Sequence, residues 1–303
     1  MVSMLSYLRP GFVLLLFAYL LTNCNRKMNT SIFSPGTLPK LISRQFAFTE
    51  GPAVDAAGNV FFTDQPNNQI WKYSIDGNLS LYMDNAGRSN GMYFDKQGNL
   101  ITCADEKHEL WMISTDKKIR VLVNDYNGRK LNGPNDVWVH PKGNIYFTDP
   151  FYHRKHWSGT KPDIDGEHVY LLRKNETSPV RIIDDLVKPN GIIGTADGQT
   201  LYVADIEGNK TFKYTINANG SVDKGTLFAN LGSDGMTIDN MGNVYLTGDG
   251  VTVFNASGKQ IEHIVIPEKW TANVTFGGKN LSTLFMTASE GIYTVEMQVS
   301  GVR

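Results

Sequence analysis

Six short stretches place an oxygen-bearing side chain at the head of one recurring frame. The lead residues are Glu50, Asn90, Asn135, Asn190, Asp234 and Asn273, most of them followed by glycine and then an apolar run. In the first five copies a turn glycine (58, 98, 143, 198, 242) stands eight positions after the lead residue. Brought together, these side chains offer only carboxylate and amide oxygens. A donor set without Cys or His suits a hard divalent cation, Ca²⁺, Mg²⁺ or Mn²⁺, and lacks the pattern of a structural zinc site. Two carboxylates held close repel each other, and a bound cation relieves that repulsion. The same ring could instead hold water and tie neighbouring units together; the carboxylate pair favours the cation.

The elements that must position these residues are short strands. After the first lead residue come Ala53-Val54, Val60 to Thr63, Ile70 to Tyr73 and Leu79 to Tyr82. Turns at Ala57-Gly58-Asn59 and Asp76-Gly77-Asn78 separate them, with residues suited to positive φ. The pattern returns with a period of about 40–50 residues, four strands to a unit, which is the signature of a β-propeller. The fold class expected is therefore all-β, a six-bladed propeller. The sixth unit lacks a fourth strand, while Leu41 to Phe48 reads as a strand with no blade of its own. Ring closure by this N-terminal strand completes the last blade and removes an open edge. A two-domain β-sandwich leaves the even spacing unexplained. In a propeller the first strand of each blade lines the channel, so the six lead residues converge on the axis at one face.

Composition narrows the partners. The chain has 303 residues, a hydrophobic fraction of 41% and a net charge of -1, enough for a core and without the basic face of a nucleic-acid binder. Arg9, the apolar run Phe12 to Leu21 and Cys24 read as an export signal. The run is shorter than the ~20 residues a membrane span needs. Residues 1–24 are thus expected to be a signal peptide or a lipoprotein leader, 25–40 a polar tether, and 41–303 the propeller. This implies export to a bacterial periplasm or envelope, with attachment to the membrane through a lipidated Cys24 as one outcome and secretion as the other. Cys103 falls in an apolar strand and reads as a buried structural thiol. Eight Asn-x-Ser/Thr sequons occur (Asn29, Asn78, Asn175, Asn209, Asn219, Asn255, Asn273, Asn280), of which Asn273 should face the channel and stay unmodified.

Six motifs stand in order along the chain: Phe48-Thr49-Glu50-Gly51-Pro52, Leu131-Asn132-Gly133-Pro134-Asn135-Asp136-Val137, Tyr146-Phe147-Thr148-Asp149-Pro150, Pro189-Asn190-Gly191, Ser233-Asp234-Gly235-Met236 and Phe276-Gly277-Gly278. In these, over about residues 45–297, the chain resembles the SMP-30/gluconolactonase/LRE family of six-bladed propellers, bacterial gluconolactonase-like members in particular. The resemblance implies that Glu50, Asn135, Asn190 and Asp234 hold a divalent metal, calcium foremost, with magnesium, manganese or zinc as alternatives. It implies hydrolysis of a sugar lactone, a small-molecule substrate, to the aldonic acid. Asp234, or secondarily Glu50, would handle the proton of the attacking water. Asn90 and Asp105 would contact substrate hydroxyls. Animal members carry a substrate-binding Arg where this chain has Gly133.

The insertion from Asp149 to His168, containing Phe151-Tyr152-His153-Arg154-Lys155-His156-Trp157, follows a second strand and so opens on the face of the lead residues. Tyr152 and His153 are expected to close over a small polar ligand there. No Gly-x-Ser-x-Gly occurs, which leaves a serine hydrolase unsupported. Two other readings stand beside the lactonase: a ligand-binding propeller with a structural metal, and a lactonase or esterase acting on a different ester.

Overall fold

The computed structural model describes residues 31–157 and 159–302. The leader, Cys24 and Asn29 lie outside the described residues. Burial sorts the strands by position in each unit. Second strands such as Val60–Asp64 and Ile145–Asp149 are buried along their whole length. Fourth strands such as Leu79–Asp84 have no fully buried position and mix half-buried with exposed ones. A strand packed on both faces needs apolar residues at consecutive positions, whereas an outer strand needs them only at alternate ones.

Each unit is a four-stranded antiparallel sheet, and there are six among the described residues. The first blade is Thr49–Val54, Val60–Asp64, Gln69–Tyr73 and Leu79–Asp84 in spatial order. The inner strands of the next five blades are Ser89–Phe94, Val137–Val139, Pro189–Gly194, Met236–Ile238 and Thr271–Gly277. Large side chains seal neighbouring blades, for example Phe61 on Phe94 at 5.1 Å and Phe62 on Phe285 at 5.6 Å between ring centroids. The fold is a six-bladed β-propeller. Inner strands run from the lead residue toward the turn glycines, so the lead residues mark one face, here called the mouth, and Gly58 and its counterparts the other.

Closure follows the expected route with a shorter strand. Lys40–Ser43 pairs antiparallel with Gly291–Glu296 and completes the sixth blade. The expected strand from Leu41 to Phe48 ends at Ser43 because Asp64 Oδ1 accepts the N–H groups of Ala47 (3.1 Å) and Phe48 (3.2 Å), drawing that segment toward the first blade. Arg44 holds the junction through Glu268 at 2.6 Å. Ile32 joins the core of the sixth blade, and its carbonyl accepts from Gln298 N at 2.8 Å. Since the closing strand runs toward the mouth, Ile32 and Gln298 lie at the turn-glycine face.

Candidate active site

The lead residues do not simply precede their strands. Glu50, Asn90, Asn190 and Asn273 lie within the inner strands, while Asn135 and Asp234 stand just ahead of theirs. The pairing register slips between Glu50 and Ala53, between Ser89 and Met92, and between Pro189 and Ile192. These bulges re-aim the lead side chain toward the axis. The glycine that follows permits close approach. A Cβ on Gly51, which has φ +46°, would stand 1.9 Å from the Asn90 carbonyl oxygen, and one on Gly235 would stand 1.9 Å from Asn273 Cγ. Second-strand threonines of the third and fifth blades fix the inner strand of the next blade: Thr148 Oγ1 donates to the Asn190 carbonyl at 2.8 Å, and Thr247 Oγ1 to the Ala272 carbonyl at 2.8 Å.

Two carboxylates and two amides from the implied cage gather at the mouth. Glu50 is buried, and burial together with the negative charge of Asp234 pushes its pKa well above the usual carboxylate range. The Gly51 N–H, donating to Oε2 at 2.8 Å, opposes that shift without cancelling it. Asp234 keeps some accessible surface; desolvation raises it to about 6 against hydrogen bonds from Trp270 and Asn190. Asn190 donates Nδ2–H to Tyr152 Oη at 3.0 Å and its side chain also hydrogen-bonds Asp234. With its N–H groups occupied in this way, Asn190 is left with a buried Oδ1 that has no hydrogen-bond partner. Asn135 is buried, its N–H on the Thr148 carbonyl at 2.9 Å and its carbonyl accepting from Gly91 N at 2.7 Å.

These features fit a divalent cation. An unpartnered buried amide oxygen and two desolvated carboxylates, Glu50 raised further by the charge of Asp234, are the donors such an ion neutralises. Among the described residues no group of three or more His, Cys, Asp or Glu side chains is disposed to hold a metal, so the carboxylates would need other oxygen donors beside them.

The remaining sequence candidates take different places. Asn90 and Asn273 are buried in the ring. The Asn273 Oδ1 accepts from Val274 N at 2.8 Å, and its side chain also bonds Glu50 and Asp136. Asp105 is engaged from three directions. Its Oδ2 accepts Gln65 Nε2 at 2.8 Å and Arg154 Nε at 2.7 Å, and its carbonyl accepts Trp157 Nε1 at 3.0 Å. Burial still leaves its pKa raised. Tyr152 reaches the cage through Asn190, with Lys188 Nζ 4.9 Å from its ring centre. Its phenol pKa is raised by burial and by the Asp234 charge. His153 is exposed. Trp157 packs on His108 with ring centres 4.0 Å apart, so the insertion lies across the mouth beside the second blade. Gly133 leaves room for this, since a Cβ there would meet Trp157 Cη2 at 2.8 Å.

Two residues at the site had not been singled out from sequence. Asp136 is wholly buried, accepts Val137 N at 2.9 Å and Ile192 N at 3.3 Å, and is raised by desolvation to about 7. Its signal was present: it follows a lead residue where four other copies have glycine. Its Oδ1 lies where a Cβ on Gly91 would be, 2.3 Å away. Trp270 donates Nε1–H to Asp234 Oδ2 at 2.6 Å and belongs to no periodic pattern. Beneath the ring, on the side away from the mouth, the channel opens into a largely apolar cavity of about 270 Å³ lined by Met92, Trp138, Ile192, Met236 and Phe276.

Comparison with known proteins bears on this arrangement. The model of the SMP-30/Gluconolactonase/LRE-like region matches residues 48–290. A gluconolactonase from Zymomonas mobilis is 26% identical, with 89% of this chain and 84% of the relative covered. The X-ray structure of a candidate gluconolactonase superposes with a TM-score of 0.83 at 31% identity, covering 90% of this chain and 96% of the other. A gluconolactonase from Xanthomonas campestris superposes with a TM-score of 0.79 at 27% identity, covering 86% and 89% respectively.

Proposed function

The chain belongs to the SMP-30/gluconolactonase/LRE-like family, and from that premise we propose that it is a lactonase that opens a sugar lactone with water to give the aldonic acid. The observation that supports this most directly is the tethered set Tyr152–Asn190–Asp234–Trp270. It aligns an unpartnered amide oxygen and a carboxylate of perturbed pKa at one partly open mouth.

We assign Glu50, Asn135, Asn190 and Asp234 as the residues that would hold a divalent cation, calcium foremost. When bound, such an ion supplies Lewis-acid polarisation of an ester carbonyl. Asp234 is the group to take the proton from the attacking water: it is accessible at the mouth, and its value of about 6 leaves it mostly ionised at neutral pH. Glu50, deeper and more strongly desolvated, adds charge to the cage. Tyr152 covers the ring from the insertion and limits water around it. Arg154, held by Asp105, sets the far wall. Asn90 lies in the ring with an amide suited to a substrate hydroxyl.

The test is a pH-indicator screen of aldonolactones and simple esters, with calcium, with magnesium and after chelation. Acid release from aldonolactones that chelation abolishes and calcium restores supports the proposal. Acid release that chelation leaves intact removes the metal. Release from no lactone or ester favours the ligand-binding reading.

A further inference from the structure

Trp270 sits at the mouth with a task the repeat pattern does not explain. Its indole N–H is fixed on Asp234 Oδ2 at 2.6 Å. Its ring lies against the backbone of Gly248, where a Cβ would stand 3.5 Å from Cη2. The side chain is nevertheless 36% exposed. A large aromatic body left open while its polar edge is pinned to a site carboxylate is how ligand pockets present an oriented apolar wall. The contacts continue through Asp234 to Asn190 and on to Tyr152, so the two aromatic residues flank the ring from different blades.

We propose that Trp270 has two functions in lactone hydrolysis: it positions the Asp234 carboxylate, and its open ring is the surface on which the C–H face of a sugar lactone lies. The proposal rests on the lactonase reading and sharpens its substrate class. A pyranose-type lactone has an apolar C–H face to set on the indole and hydroxyls to turn toward Asn90 and Arg154. An unsubstituted lactone of the same ring size lacks those hydroxyls and has no fixed orientation on the wall. The indole N–H on Oδ2, together with the Asn190 side chain, fixes how the Asp234 carboxylate is turned.

The experiment uses the calcium-loaded full chain and the variants Trp270→Ala and Trp270→Phe. Turnover is measured with glucono-1,5-lactone and with δ-valerolactone, and gluconate is titrated by tryptophan fluorescence as a readout independent of turnover. Loss of stacking in Trp270→Ala should raise KM for the sugar lactone about tenfold and leave that for δ-valerolactone within about twofold. Trp270→Phe should restore the sugar-lactone KM while kcat stays roughly tenfold low, because the hydrogen bond to the carboxylate is still missing. Gluconate should change the wild-type fluorescence and leave that of Trp270→Phe unchanged.

Trp270→Ala with wild-type KM and kcat on the sugar lactone, or a gluconate response that survives in Trp270→Phe, overturns the proposal. A wild-type chain that binds gluconate through Trp270 and hydrolyses no lactone overturns the lactonase reading and leaves the wall. One that neither binds nor hydrolyses overturns both.

Discussion

Asp234 stands with one oxygen on the Trp270 indole and its side chain hydrogen-bonded to Asn190, so its position is held by neighbours that an amide could also satisfy. Asp234→Asn should therefore keep the fold and lower kcat by about 10²–10⁴, the usual worth of a positioned acid–base group. Wild-type turnover in that variant, followed with a pH indicator, would remove Asp234 from the chemistry. A second consequence concerns pH. Glu50, Asp136, Asp149 and Asp234 are all raised above the ordinary carboxylate range, Asp136 and Asp149 to about 7 and Asp234 to about 6. Between that ordinary range and neutrality the folded chain binds more protons than the unfolded one, so stability falls as pH rises through this window. With chelator present, the melting temperature should be higher near about pH 5 than near about pH 8. Calcium should raise it mainly at the higher pH, where it meets ionised carboxylates. A melting temperature at the higher pH that calcium leaves unchanged would count against the cage.

Among the elements, the second strands of the first four blades end on, or run straight into, an aspartate, and one of these four differs from the rest. Asp64, Asp149 and Asp205 each accept backbone N–H groups from the segment entering their own blade: Ala47 and Phe48, Asn132 and Gly133, Val187 and Lys188. Asp105 holds the same place in the second blade and is turned instead to Gln65 and Arg154. Arg154→Met should leave a buried carboxylate held by Gln65 alone and cost about 1–3 kcal/mol, the usual penalty for an under-satisfied buried polar group. Adding Asp105→Asn should recover much of it, and a denaturant series on the double-mutant cycle measures the coupling. The alternating strands and turn glycines were readable in the sequence because both repeat on a local period. Reach across blades was not. Nothing near Arg154 in the chain indicates Asp105, and nothing near Trp270 indicates Asp234, because both pairings depend on how the ring closes. The capture of Ala47 and Phe48 by Asp64, which shortens the closing strand, is of the same kind.

For the whole propeller, closure depends on four residues paired late in the ring, Lys40–Ser43, together with Arg44 on Glu268. Six blades and the need for an N-terminal closing strand followed from counting strands; the aim of the lead side chains depends on the bulges at Glu50, Asn90 and Asn190, which no residue count reveals. A chain beginning at Gln45 should leave the edge of Gly291–Glu296 open, melt at a lower temperature and self-associate, which light scattering would detect. The entry of Ile32 at the turn-glycine face has a practical corollary. A chain shortened to begin at Ile32 and gripped there by a bead or surface turns the turn-glycine face to the support, and the mouth faces the other way. Coupling through Lys188, whose amine lies over Tyr152, would place the support across the entrance itself.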